Sequence, residues 1–207
     1  MVSDSSGYYS TDEFIECESA VKELTRALKA IPDDVFAWKW AILAAHNMLQ
    51  NACICILTRT DGLGVFSNDG EKAMHNYLYG EKDGVRNRDD PNSERPNPRL
   101  ADTRLLINRL PKSIGASMTK RNAKEIPFNE AGDLSRLHEF RNEFAHFSPQ
   151  SWSLEISGLP RIIRAAVRIS DAIIQSSDYQ RHNRFDQETM AQLMAQVNEL
   201  LDGIERG

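Results

Sequence analysis

Arg141 and His146 bracket the segment Arg141-Asn142-Glu143-Phe144-Ala145-His146. A guanidinium held beside a titratable imidazole suits cleavage of a phosphodiester. The arginine grips phosphate oxygens and stabilises charge that develops on them. The histidine moves protons near neutral pH. Asn142, between the two, both donates and accepts hydrogen bonds. If the substrate carries its own 2′-hydroxyl, the nucleophile is built in and no metal is needed.

The position of the cation is unusual for a helix meant to be hidden. With Leu134 at zero and about 100° per residue, Leu137 falls near 300°, Phe144 near 280° and Phe140 near 240°. Arg141 falls near 340°, inside or at the edge of this apolar stripe. A buried guanidinium without partners costs several kcal/mol. It must therefore meet a carboxylate, reach out to water, or face a groove that takes an anion. Glu139 and Asp133 are the candidate carboxylates. His146 lies about 140° from Arg141 on an ideal helix. Pro149 turns the chain just beyond it, which lets the ring swing toward the arginine. A plain structural reading competes, in which Arg141 is ion-paired and His146 is a cation favoured by the helix C-terminus. His138, about one turn before Arg141, is the second choice for moving protons.

The hexad resembles the Arg-x(4–6)-His motif of the HEPN superfamily, in which the residue after the arginine is commonly polar, as Asn142 is. The resemblance extends over the helical plan of residues 35–205. It implies a helical bundle that pairs with a second copy, so that two motifs share one cleft. It implies Arg141 and His146 as the catalytic pair, with Asn142 supporting them. It implies metal-independent RNA cleavage without a cofactor, as in toxins of toxin–antitoxin pairs and in defence ribonucleases, and hence an antitoxin partner in the toxin branch. Other members of the superfamily do not cleave RNA. The alternative is therefore a non-catalytic module that binds RNA, a nucleotide or a protein in the same groove.

The rest of the chain must position these residues. At 207 residues, with 41% apolar and 27% charged residues, it has the composition of one soluble globular domain. Roughly 70% of the unfolded surface can be buried at that size. The net charge of −5 argues against indiscriminate nucleic-acid binding over the whole surface but leaves room for a local basic site. Two such sites are candidates: Arg161, Arg164 and Arg168 on one helix stripe, and Lys120 with Arg121 in a loop. Either follows an RNA backbone or is a solvated face. Cys17, Cys53 and Cys55 are too few and too oddly numbered for a disulfide framework, which points to a reducing, cytoplasmic setting and small buried thiols. His46, His75, His138 and His182 lack metal-ligand spacing, and no metal is expected.

The hydrophobic pattern gives an all-α antiparallel bundle of four to six helices within a single 1–207 unit. Residues 1–9 read as a polar tail without signal-peptide character. Ser10 with Glu13 reads as a capping box for the first helix. Asp33 or Asp34 is placed to cap a long apolar second helix ending near Arg59, with His46 as a hydrogen-bonded core residue. Its broken apolar runs read as a buried bundle helix, with no membrane span. Asn47, Gln50, Asn51 and Thr58 share a side of it. Residues 81–99, polar and proline-rich, read as an exposed loop insertion. Asp133 is placed to cap the helix that carries Arg141. "SWSLEI" alternates in the manner of a short extended segment.

Overall fold

The structure, a computed structural model, describes residues 10–82, 84–114, 128–146, 153–180 and 186–206. It is an all-α bundle. Helix α1 spans Glu13–Ala30 and α2 spans Ala37–Leu57. The turn between them makes the pair a helical hairpin. Helices α3 (Asn68–Tyr79) and α4 (Thr103–Arg109) flank the polar insertion. Then follow α5 (Phe128–Ala145), α6 (Leu159–Ile174), the one-turn α7 (Ser177–Gln180) and α8 (Gln187–Arg206).

α2 is the axis of the molecule. It packs on α1, α4, α5 and α6, and α8 closes the far side against α1 and α6. Ala41, Ala44, Ala45 and Ala52 are buried on it, which lets neighbouring helices approach closely. Met48, Leu49, Leu24, Leu137, Ile163 and Val197 belong to one continuous core drawn from five helices. By length and mean hydropathy α2 would pass as a bilayer span, and 56% of its apolar window is buried by the bundle. All three cysteines are free and buried. Burial pushes the Cys53 thiol well above its ordinary range.

Several local readings shift. The cap of α1 is Asp12, whose Oδ1 accepts from the Phe14 and Ile15 amides at 3.0 and 2.9 Å. Ser10 lies two residues before it. Neither Asp33 nor Asp34 caps α2 through its side chain. Asp34 instead accepts from the Phe36 amide at 2.9 Å and shapes the preceding turn. Asp133 does not cap α5. The helix begins at Phe128, and Asp133 sits inside it, 4% exposed, where α6 supplies a cation for it. Gly132 and Asp133 read as a helix start because both are weak formers of helix interiors. Residues 153–156 form no strand, and Trp152 lies outside the described residues. The paired segment falls in the insertion instead, where β1 (Glu81–Lys82) and β2 (Val85–Arg86) form a small antiparallel hairpin. The insertion is otherwise largely exposed.

The loop after α2 depends on Gly64. Its φ is +105°, and a Cβ there would lie 2.2 Å from the Leu57 carbonyl oxygen. Glu71 accepts the Gly64 amide at 2.6 Å, and Arg109 donates to the Gly64 and Phe66 carbonyls at 3.1 and 2.7 Å. Gly62 also has positive φ, +75°, but open space around it. Gly62→Ala should therefore cost about 1 kcal/mol, the left-handed penalty alone. Gly64→Ala should cost about 3 kcal/mol or more, because the clash with backbone is added. Urea unfolding of the two variants checks this, and equal losses would refute the clash.

Candidate functional site

Three helices bring polar groups together at one end of the apolar interior. α2 contributes His46, α4 contributes Thr103 and α5 contributes His138, Arg141 and Asn142. On α5 the i, i+4 spacing puts Asn142 one turn after His138. The Asn142 amide nitrogen lies 3.1 Å from His138 Nε2. The other face of that ring, at Nδ1, lies 3.3 Å from His46 Nε2. The two rings are tilted by 35° with centroids 5.5 Å apart. The Thr103 hydroxyl lies 3.1 Å from the same His46 Nε2. At the outer end Arg141 donates from its guanidinium to Asn142 Oδ1 at 2.9 Å.

Burial grades along this row. His46 and Thr103 are buried at 1% and 5% exposure, while His138, Asn142 and Arg141 are half-buried. Among the described residues no carboxylate lies within ion-pair distance of Arg141. Its charge is felt inward instead. Burial, then the Arg141 charge, hold the His46 ring well below the ordinary histidine value, at about 3. Burial lowers His138 as well. Arg141 and Arg104 press in the same direction, against the opposing pull of Asp102 and Glu139. Both imidazoles are thus neutral at pH 7, and the guanidinium is the charge of the cluster.

The other candidate residues are placed elsewhere. His146 is exposed just past the end of α5, its amide bonded to the Asn142 carbonyl at 2.9 Å. Among the described residues no hydrogen bond, ion pair or ring contact joins its side chain to Arg141. Arg161 is paired with Asp133 at 3.0 Å. Asp133 is eight residues before Arg141, about 12 Å along the helix at 1.5 Å per residue. Arg164 is held by Asp202 and Glu205 at 2.8 and 2.9 Å. Arg168 is exposed on the same helix. Lys120 and Arg121 lie outside the described residues. Asn47 and Asn51 line a shallow groove between α1 and α2 with Trp40 and Glu23. Among the described residues no three histidine, cysteine or carboxylate side chains gather in a way that would hold a metal ion.

His46 lies 92 residues from His138 along the chain and 57 from Thr103. Their sequence signal was slight: one ionisable ring on an apolar helix, and a threonine next to a helix cap. No family model, curated protein or solved structure matches the chain.

The neutral burial of His46 has a thermodynamic consequence. Below pH 6.5 the unfolded chain takes up a proton on this ring and the folded one does not, down to about pH 3. The unfolded state binds more protons in that window, so stability falls as pH falls through it. The loss is up to about 1.4 kcal/mol per pH unit for one such ring. His138 adds to it with the same sign. Urea unfolding between pH 7.5 and 5 should show wild type losing about 2 kcal/mol through His46 below pH 6.5, with His46→Gln removing that part of the slope. An unchanged slope in His46→Gln would show that the ring is not carried neutral.

Proposed function

We propose that this chain is a HEPN-like endoribonuclease acting as a homodimer without a metal. The observation that supports it most is the state of Arg141. It is a half-buried cation with no described carboxylate partner, oriented by an amide that is itself backed by neutral rings. Arg161 and Arg164 are each met by acids and Arg109 by two backbone carbonyls and Asn68, whereas Arg141 meets one amide oxygen among the described residues. A cation that meets no carboxylate among the described residues and is aimed by neutral dipoles fits an anionic ligand, and a phosphate matches the guanidinium fork.

In this reading Arg141 binds non-bridging oxygens of the scissile phosphate. His146, exposed beside it in sequence, takes the proton from the 2′-hydroxyl. The 2′-oxygen attacks phosphorus, the bond to the 5′-oxygen breaks, and that oxygen receives a proton. The products are a 2′,3′-cyclic phosphate and a 5′-hydroxyl. A second copy of the chain supplies the second proton-transfer group across a shared cleft. Toxin or defence activity in the cytoplasm, with an antitoxin as partner in the former case, is the setting the motif suggests. The same arginine also supports a second reading, a HEPN-like module that binds RNA, a nucleotide or a protein and does not cleave.

Incubation of the protein with RNA in excess chelator separates these. Wild type should yield cyclic-phosphate ends. Arg141→Ala and His146→Ala should each lower the rate about 100-fold or more. Intact RNA with wild type, together with binding that Arg141→Ala abolishes, would select the non-catalytic module. Cleavage at equal rate by wild type and His146→Ala would remove His146 from the reaction.

A further inference from the structure

We propose that Asn142, His138 and His46 form a directional relay that positions the Arg141 guanidinium for a phosphate-bearing ligand. The inference rests on the reading of Arg141 as the phosphate-binding group and adds residues outside the hexad to its machinery. His138 and His46 are positioning residues in this scheme, since each acts through its neighbour.

The direction of the row follows from one fact of chemistry. A guanidinium donates hydrogen bonds and cannot accept them. The Asn142 oxygen must therefore face Arg141, at 2.9 Å, which turns the amide NH2 toward His138. That NH2 donates to His138 Nε2 at 3.1 Å, so Nε2 carries no proton. A neutral His138 then has its proton on Nδ1 and donates it to His46 Nε2 at 3.3 Å. The Thr103 hydroxyl, 3.1 Å from the same Nε2, is oriented to donate to it as well. The neutral His46 ring is left with its proton on Nδ1, a buried atom that meets no acceptor at full hydrogen-bond geometry, with the Asn47 side chain of the same helix the group that acts on the ring.

The row would not hold with the opposite polarity. If His138 carried a proton on Nε2, Asn142 would have to turn its oxygen inward and its NH2 outward, against the arginine's own N–H groups. Both histidines are thus pinned in one tautomer by a residue two or more bonds away, and the arginine is pinned in return. Packing fixes the inner end, because His46 is 1% exposed on the central helix. A long, flexible arginine side chain is thereby tied to the central helix of the bundle. The ordering cost of a rotamer-rich side chain is met by the fold before any ligand arrives.

Two measurements test this. Long-range 15N–1H NMR of the histidine rings at pH 8 needs no ligand and should place the proton of both His138 and His46 on Nδ1. A proton on His138 Nε2 overturns the relay whatever the protein binds. The second is binding of a fluorescent 2′-O-methyl oligoribonucleotide, which keeps the phosphates and lacks the attacking hydroxyl. At pH 8 His138 is uncharged, so His138→Leu alters no charge. It should weaken binding about tenfold, while His138→Gln, whose amide oxygen can accept from Asn142, should stay within about threefold of wild type. A merely structural histidine would change the melting temperature of both variants and the affinity of neither. If Arg141→Ala weakens binding and His138→Leu does not, the relay is wrong and the phosphate reading stands. If Arg141→Ala binds as wild type does, both fall.

Discussion

One guanidinium with no described counter-charge organises the rest of this structure. A buried or half-buried cation ordinarily costs several kcal/mol unless a carboxylate or a dense set of hydrogen bonds meets it. Among the described residues Arg141 is met by a single amide oxygen, and the amide is held by uncharged rings. Two of the energetic demands around it are linked. The charge helps to keep both histidines neutral, and neutral histidines are what let Asn142 face the arginine. Removing any one of these groups changes the state of the others.

The bundle supplies what that arrangement requires. α2 is apolar on most sides and buried, so His46 cannot relax into water. α4 and α5 both pack on α2, where Thr103 and His138 share one ring nitrogen of His46. On the far half of α5, Asp133 locks the helix to α6 through Arg161. The helix is thus clamped near its start and carries its open cation near its end. The helices that flank the insertion are tied to the loop after α2, α3 through Glu71 and α4 through Arg109.

The all-α plan was legible in the sequence because it rests on apolar periodicity and on proline and glycine punctuation, which are local signals. The second helix, expected to end near Arg59, ends at Leu57. The start of α5 was misread because Asp133 is a good cap and a weak former of helix interiors, while the helix runs on from Phe128 and Asp133 pairs from within it with the exposed Arg161, 28 residues on. Arg141 and Asn142 stood out by their place on an apolar stripe. Their connection to His46 and Thr103 did not, because it is a tertiary contact that no spacing along the chain announces. His138 was visible only as a neighbour one turn away. The tautomers that tie the row together follow from bond geometry and need coordinates.

The most direct test of the proposal that Arg141 binds an anionic ligand is 15N NMR of arginine side chains, with the Arg141 Nε–Hε signal assigned by its loss in Arg141→Lys. On titration with 2′-O-methyl RNA that signal should shift and saturate, while the acid-paired Arg164 stays in place. A stationary Arg141 signal under saturating RNA would contradict the account.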